Sequence, residues 1–261
     1  MVARCRKIFG QKRVGHSGTL DPDATGVLLV GLGRVTRLLR FLTDLPKSYI
    51  GEVVLGRATS TLDASGEVVG EWDMTGVGLD EVRTAAAQFV GDIEQVPPMV
   101  SAVKVGGRRL HELARAGQEV ERAARPVTVH RLDVSAGPGP GVFTIEVDCS
   151  SGTYVRTLAA DIGTALGGGA HLRNLRRTAI GSFTLADATP LDGLTPADAV
   201  SPAEALRDYP VSTVDAATAD AVSHGKSIEA AHEGPWRVLD EAGNLLAVYE
   251  AGRPAVVIVS G

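Results

Sequence analysis

A carboxylate in a glycine-rich loop is the side chain of this chain that best suits catalysis. Asp21 lies within residues 15–33, which read GHSGTLDPDATGVLLVGLG. Gly15 and Gly18 permit positive φ, while Pro22 restricts Asp21 to extended conformations. The loop can therefore hold the carboxylate in one position, which is a plausible catalytic arrangement. The same residues are typical of an ordinary turn, so both interpretations stay open at this point.

Hydrophobic periodicity predicts the elements that position this loop. The apolar run over residues 27–30 indicates a strand that is buried on both faces. An amphipathic helix over 34–45, which Pro46 ends, and a strand over 47–56 follow it. The other predicted elements are helices over 2–9, 79–89, 108–115 and from the turn at 150–153 to 166, and strands over 67–72, 101–105, 127–136, 142–150, 170–183, 236–240, 244–250 and 255–259.

Charge is distributed unevenly along the chain. The formal net charge is -5, yet residues 1–182 hold 22 Lys and Arg against 19 Asp and Glu, whereas residues 183–261 hold 4 against 12. A polyanion would therefore meet the first part of the chain and avoid the last. A solvated basic face explains the same counts, so charge alone does not favour RNA as a partner.

Two classes of protein are disfavoured by the sequence. No apolar run approaches the roughly 18 residues of a membrane span, and the first residues lack the apolar segment of a signal peptide. We therefore expect a cytoplasmic protein with no membrane partner. The two cysteines, Cys5 and Cys149, match no metal-ligand spacing, so we expect no metal site.

Four blocks of sequence carry a family resemblance. GHSGTLDP followed by ATGVLLVGLGRVTR, then KSYIGEVVLG, GTYVR and AHLRNLRRTAIGSF, occur in that order. Together they resemble the catalytic block, tyrosine motif, arginine motif and last catalytic-domain strand of the bacterial tRNA pseudouridine synthase B family. The resemblance covers roughly residues 1–183 and is weak beyond them.

The resemblance implies three catalytic residues. Asp21 is implied to be the nucleophile and Arg156 its ion-pair partner, while Tyr49 is implied to stack on the target uracil and to take part in proton transfer at C5. A nearby guanidinium lowers the pKa of a carboxylate that burial would raise, so this pair would keep Asp21 anionic. Asp63, in the turn TSTLDASG, is a competing acid, but we assign it to a structural turn, as in the family.

The remaining implied residues contact the substrate. His16 is implied to fill the space that a flipped uridine leaves, Tyr154 to line the pocket, and Leu175 to pack under the base. An exposed turn histidine and a core leucine are the ordinary alternatives. The segment 101–125, with 6 basic and 3 acidic residues, is implied to lie over the RNA. The basic residues that we predict to bind substrate are Lys104, Arg108, Arg109 and Arg173.

The resemblance also implies the fold class, α+β. A large mixed, mainly antiparallel sheet flanked by helices, the pseudouridine synthase fold, is expected over residues 1–183. A linker over 184–209 and a small PUA-like β domain over 210–261 would follow, although this last domain is short and acidic for an RNA-binding domain. The family has a strand and a Lys-Pro turn before its first helix, and both are absent here. We therefore expect the chain to start inside its first structural unit, which the mass of the native protein would test.

The implied activity is the isomerisation of uridine 55 in the T-loop of tRNA. Because this reaction has no redox change and loses no group, it needs no cofactor and no metal. We expect tRNA as the partner, no protein partner, and a monomer. Two other functions stay open: a tRNA-binding folding helper, and a related synthase guided by a separate RNA. The substitution Asp21→Asn would separate the enzyme from the folding helper.

Overall fold

The computed structural model describes residues 1–101, 104–105, 107–110, 118 and 120–258. It divides into two compact units: the first comprises Met1–Gly18, Leu28–Asp44 and Gly181–Gly261, and the second comprises Thr19–Val27 and Leu45–Ile180. The division at residue 183 that the resemblance implies stays a prediction. Among the helices of the described residues, none is both long and apolar enough to span a bilayer.

The described residues form helices, 3-10 turns and strands along the whole chain. The helices are α1 (Val2–Ile8), α2 (Leu39–Asp44), α3 (Leu79–Ala87), α4 (Val155–Ala165), α5 (Pro202–Ala205) and α6 (Ala216–Ser223), with 3-10 turns at Gly33–Leu38, Leu185–Asp187 and Pro196–Asp198. The strands are β1 (Val14–His16), β2 (Thr25–Gly26), β3 (Val30–Leu32), β4 (Lys47–Leu55), β5 (Arg57–Thr59), β6 (Val68–Glu71), β7 (Gly91–Gln95), β8 (Lys104–Val105), β9 (Arg108–Arg109), β10 (Arg125–Ala136), β11 (Val142–Cys149), β12 (Ala170–Ile180), β13 (Phe183–Thr184), β14 (Val211–Thr213), β15 (Pro235–Leu239), β16 (Leu245–Glu250) and β17 (Arg253–Val257).

The second unit contains a sheet with the strand order β12-β4-β11-β10-β7. These neighbours are antiparallel, and β2 adds a parallel pair at β12, so the predicted mixed, mainly antiparallel sheet is confirmed. Alternation along β11 places Phe143, Ile145 and Val147 in the core, where apolar residues of α3 and α4 pack against them. The opposite face carries charged side chains such as Arg131 and Asp148. One face of the sheet therefore holds the helices and the core.

The first unit contains two smaller sheets. β1 and β3 form an antiparallel pair. The order β14-β15-β16-β17 forms a second sheet, in which β14 and β15 are parallel and the other pairs antiparallel. Its core is built around the fully buried Trp236 and Tyr249, whose ring centroids are 5.8 Å apart. The predicted small C-terminal β-sheet is therefore present.

Several predicted elements differ from the structure. The helix predicted over 34–45 begins as the 3-10 turn at Gly33–Leu38 and is an α-helix only in α2. The apolar run over 27–30 is not a buried strand. Val27 N still donates to the Arg177 carbonyl oxygen (2.9 Å) as in strand pairing, but the Val27 carbonyl accepts from the Arg177 side chain (Nε, 2.7 Å). With its backbone groups bound in this way, the chain leaves the sheet and forms only the short strand β3. The segment 108–115, predicted to be a helix, begins as β9, Leu110 is helical, and residues 111–117 lie outside the described residues.

Candidate active site

Asp21 lies in a tight turn at the start of the segment that enters the sheet. Its carbonyl oxygen accepts a hydrogen bond from Ala24 N (3.0 Å), which closes the turn around Pro22. The chain then continues as β2, paired with β12. The Asp21 side chain is 34% exposed, so a substrate can reach the carboxylate although most of it is shielded from water.

Arg156 forms a two-point ion pair with Asp21. Arg156 Nε lies 2.9 Å from Asp21 Oδ2, and Arg156 Nη2 donates to Asp21 Oδ1 at 2.9 Å. The Arg156 side chain is only 4% exposed, and hydrogen bonds between ions are strong in such a poorly solvated region. The structure thus brings together the two residues whose pairing the family resemblance implies.

Oxygen atoms from four residues surround the Arg156 guanidinium. Besides the two bonds to Asp21, Nη1 donates to the Thr61 carbonyl (2.8 Å) and lies 3.3 Å from Asp63 Oδ2, and Nη2 donates to the Val100 carbonyl (2.8 Å). Three of these contacts are hydrogen bonds, and the other two, from Nε to Asp21 and from Nη1 to Asp63, are ion-pair contacts. Arg156 lies in the first turn of α4, where the helix dipole disfavours a cation, so these oxygens are what hold it there.

Burial and charge act in opposite directions on the pKa of Asp21. Burial is the largest effect and raises this pKa, the Arg156 guanidinium lowers it, and the nearby Asp63 carboxylate raises it again. The net result is a pKa above the ordinary value for aspartate. The ion pair therefore offsets only part of the effect of burial on this pKa. From the ion pair alone, a pKa below the ordinary value would be expected.

Asp63, between β5 and β6, both holds a turn and contacts the ion pair. Its Oδ1 accepts hydrogen bonds from Thr61 Oγ1 (2.6 Å) and Ser65 N (3.0 Å), the turn role assigned from the sequence. Its Oδ2 contacts Arg156, which the sequence did not indicate. Burial raises the pKa of Asp63, but these hydrogen bonds and Arg156 together bring it below its ordinary value. Leu62 has φ +62°, a left-handed conformation that the surrounding contacts must hold.

Tyr49 lies on β4, opposite Val147 of β11 and Arg177 of β12. Its ring packs against the core together with Leu175. Burial raises the pKa of the phenol, the charge and hydrogen bond of Arg177 counter part of that rise, and the Asp21 charge adds to it. Tyr49 therefore lies within electrostatic range of Asp21, in the unit that also holds Arg156.

Two models of known protein families match this chain. A family model described as TruB family pseudouridylate synthase (N terminal domain) matches residues 6–155. A second, described as tRNA pseudouridylate synthase B C-terminal domain, matches residues 156–214. The chain belongs to the TruB family. It is therefore a pseudouridine synthase, an isomerase, as the resemblance predicted.

Individual TruB relatives are similar over nearly the whole chain. The tRNA pseudouridine synthase B of Rhodococcus jostii (strain RHA1) is 47% identical over 264 residues, which cover 98% of this chain and 87% of the relative. That of Mycobacterium sp. (strain KMS) is 45% identical over 97% of this chain and 87% of the relative. Among solved structures, a Cbf5-Nop10-Gar1 complex matches with a TM-score of 0.71 and 26% identity, over 97% of this chain and 74% of that one. The predicted fold class is thereby confirmed.

Leu175, which the TruB resemblance places under the base, lies in a β-bulge of β12. Asn174 in this bulge has φ +53°, and Glu52 Oε2 accepts hydrogen bonds from Arg173 Nε (2.6 Å) and Asn174 Nδ2 (3.1 Å). A Cβ at Gly51 would lie 3.2 Å from Leu172 Cδ1, which is a tight contact, and 3.5 Å from Leu175 Cδ1, which is an ordinary one. Because Arg173 is paired with Glu52, its contact with RNA stays a prediction.

The structure places Tyr154 and His16 in different units. Tyr154 precedes α4, and its backbone exchanges two hydrogen bonds with the buried Gln95 side chain: Tyr154 N donates to Oε1 (2.9 Å) and the Tyr154 carbonyl accepts from Nε2 (3.3 Å). His16 lies in β1, and its buried Nδ1 has no hydrogen-bond partner within the described part of the chain. The substrate roles of both residues stay predictions.

The predicted basic residues of the segment 101–125 are only partly described. Arg108 is exposed, and its Nη1 donates to Gln118 Oε1 at 3.3 Å. Lys104 of β8 pairs with Arg109 of β9 through the backbone. The side chains of these two residues are outside the described part of the structure. RNA binding by these three residues therefore stays a prediction.

The described residues contain no group of three or more His, Cys, Asp and Glu side chains arranged to hold a metal ion. Both cysteines are buried free thiols. Burial raises the pKa of the Cys149 thiol to about 11, so this group is neutral at physiological pH and poorly nucleophilic.

The substitution Asp63→Asn should move the acidic limb of the pH–rate profile to lower pH. The Asp63 charge raises the pKa of Asp21, so its removal makes Asp21 easier to ionise, and activity survives further into acid. At neutral pH we expect a loss on the order of 10- to 100-fold, because Arg156 loses one of its orienting partners. Single-turnover rates measured across pH test both effects.

The matched control for this experiment is Asp73→Asn. Asp73 is an exposed aspartate whose Oδ1 accepts a hydrogen bond from Thr75 N (3.1 Å), so this change also removes a charge from a turn. We expect its acidic limb to coincide with that of the unsubstituted protein. An acidic limb in Asp63→Asn that stays in place, or moves to higher pH, would contradict the assigned coupling between the two carboxylates.

Proposed function

We propose that the protein converts uridine 55 in the T-loop of tRNA to pseudouridine, with Asp21 as the nucleophile. The observation that carries the proposal is the buried, two-point ion pair of Asp21 with Arg156, within electrostatic range of Tyr49. The substrate follows from the relatives, which are named tRNA pseudouridine synthase B. The position within tRNA follows from the family resemblance of the loop at 15–33.

The reaction needs a carboxylate that stays ionised in a poorly solvated site. The bond between C1′ of the ribose and N1 of uracil breaks, a bond between C1′ and C5 forms, and the proton on C5 is replaced by one on N1. Attack of Asp21 on C6, attack on C1′, and elimination to a glycal all start from the ionised carboxylate. The Arg156 guanidinium supports each of them, because it stabilises that charge where water is largely excluded.

Tyr49 is suited to contact the detached uracil. Its ring provides a flat apolar surface on which a base can stack, and its phenol offers an oxygen for the transfer of the C5 proton. Leu175, packed against the same core, supports the base from the sheet. These contacts would keep the free uracil in place while it rotates between bond cleavage and bond formation.

Access to uridine 55 requires the base to leave the folded T-loop. Flipping a stacked base costs a few kcal/mol, which contacts to the vacated space and to the phosphates must offset. We assign the contact with the vacated space to His16. We assign the phosphate contacts to the basic residues Lys104, Arg108, Arg109 and Arg173. Phosphate contacts of this kind would make the affinity for tRNA fall with increasing salt.

Release of tritium from C5-labelled uridine tests the function. We expect the protein to release one tritium per molecule from a T-arm hairpin whose uridine 55 is labelled, and carbodiimide mapping to find pseudouridine only at that position. The matched control is a tRNA transcript with cytidine at position 55 and labelled uridine elsewhere, from which we expect no release. No release from the hairpin with enzyme in excess, or release from the control, would overturn the assignment.

A further inference from the structure

Arg177 on β12 is buried where the strand would be expected to carry an apolar residue. Its side chain is 1% exposed, and the deeply buried residues at the same strand's other core positions, Leu172 and Ile180, are apolar. A buried guanidinium costs several kcal/mol unless its donors are paired. A charged group in this position therefore needs specific partners.

The partners of Arg177 belong to two parts of the active site. Its Nε donates to the Val27 carbonyl (2.7 Å), and its own carbonyl accepts from Val27 N (2.9 Å), at the end of the segment that carries Asp21. Arg177 is also the cross-strand neighbour of Tyr49 on β4, and its guanidinium lowers the pKa of the Tyr49 phenol that burial raises. One side chain thus connects the Asp21 segment with Tyr49.

The backbone at Gly26 adds to this connection. Gly26 pairs with Arg177 in the parallel pairing of β2 and β12 and has φ +106°. A Cβ at this position would lie only 2.0 Å from the Arg177 carbonyl oxygen, so no other residue could approach so closely. Both the backbone and the side chain of Arg177 therefore hold the end of the Asp21 segment.

We propose that Arg177 is a positioning residue of the reaction, which orients the Tyr49 phenol relative to the Asp21 segment. The proposal rests on the function proposed above. Because a guanidinium has donors and no acceptor, the phenol can present only its oxygen to Arg177, and its single proton must point away from Arg177. The cation also counters the effect of burial on the pKa of Tyr49, which favours the phenol as a group that exchanges a proton.

A double-mutant cycle between Arg177 and Tyr49 tests the proposal. We expect Arg177→Met to lower the single-turnover rate at least 30-fold while the Kd for tRNA changes less than threefold. In the Tyr49→Phe background, which lacks the hydroxyl, we expect the same change to cost less than fivefold, because the two residues act as one unit. Arg177→Lys, which keeps the charge, should restore part of the rate.

The control is Arg131→Met, which removes an exposed arginine from β10 and should leave the rate unchanged. Should Arg177→Met fail to fold, the cycle is run with Arg177→Lys in its place. Equal losses in the Tyr49 and Tyr49→Phe backgrounds, or a rate loss matched by weaker tRNA binding, would overturn the proposal. Failure of the proposed function is distinct, since the unsubstituted protein would then release no tritium from the T-arm.

Discussion

Asp21→Asn is expected to abolish pseudouridine formation while tRNA binding stays nearly unchanged. The amide has the size of the carboxylate but is neither a nucleophile nor a negative charge, so we expect the rate to fall by a factor on the order of 10⁴ or more. Binding depends on the RNA phosphates and on the shape of the pocket, which this change leaves intact. Tritium release with enzyme in excess and filter binding of tRNA measure the two effects.

Asp23→Asn is the matched control, because it removes a charge two residues away in the same loop. Asp23 raises the pKa of Asp21 less than Asp63 does, so we expect a rate close to that of the unsubstituted protein. Residual activity of Asp21→Asn within tenfold of the starting rate would refute the nucleophile assignment. Loss of tRNA binding together with activity would indicate that Asp21 acts in folding or recognition, as a folding helper would require.

Arg156→Met is expected to destabilise the protein and to inactivate it. The change leaves the carboxylates of Asp21 and Asp63 and the carbonyls of Thr61 and Val100 without their buried donor. Removing one partner from a buried ion pair costs about 3–5 kcal/mol in the free energy of unfolding. We expect the rate at neutral pH to fall on the order of 10²- to 10³-fold, because Asp21 is then harder to ionise and less well oriented.

An exposed arginine supplies the control for stability. Arg131 lies near three carboxylates, Asp133, Glu146 and Asp148, but its side chain is 46% exposed. Solvent weakens such pairs, so Arg131→Met should cost less than about 1 kcal/mol. Urea unfolding of both variants, checked by circular dichroism, makes the comparison. Similar losses from the two changes would show that burial does not strengthen the Arg156 cluster.

Coupling between Asp21 and Arg156 gives a second measure of the same pair. In the double variant, the carboxylate that Arg156 neutralises is itself absent. We therefore expect Arg156→Met to destabilise the Asp21→Asn protein less than it destabilises the unsubstituted protein. Equal losses in the two backgrounds would show that Arg156 stabilises the protein through Thr61, Val100 and Asp63 and not through Asp21.

Much of the architecture follows from patterns within short stretches of sequence. The alternation in residues 47–56 and 142–150 predicts β4 and β11, and the position of Arg156 just after a tight turn predicts its place in the first turn of α4. The glycines and Pro22 around Asp21 likewise indicate a loop. Such features depend on neighbouring residues and on the conformations that each permits, so they can be read without the fold.

Other features depend on partners that are distant in sequence. Asp63 resembles an ordinary turn residue until the strand order brings it to Arg156. The apolar run over 27–30 resembles a buried strand, but in the structure the Val27 carbonyl binds the side chain of Arg177, and strand pairing with β12 stops there. Arg177 itself, one of three arginines in residues 173–177, would be expected at the surface.

The sequence by itself determined the residue types of the site, the order of its motifs, and most of the helices and strands that carry them. Only the tertiary structure decided that one buried guanidinium lies between Asp21 and Asp63, and that another joins Tyr49 to the Asp21 segment. The physical reason is that local conformation is set by steric limits and periodicity over a few residues. Burial of a charge, by contrast, is possible only where strand register assembles its partners from distant parts of the chain.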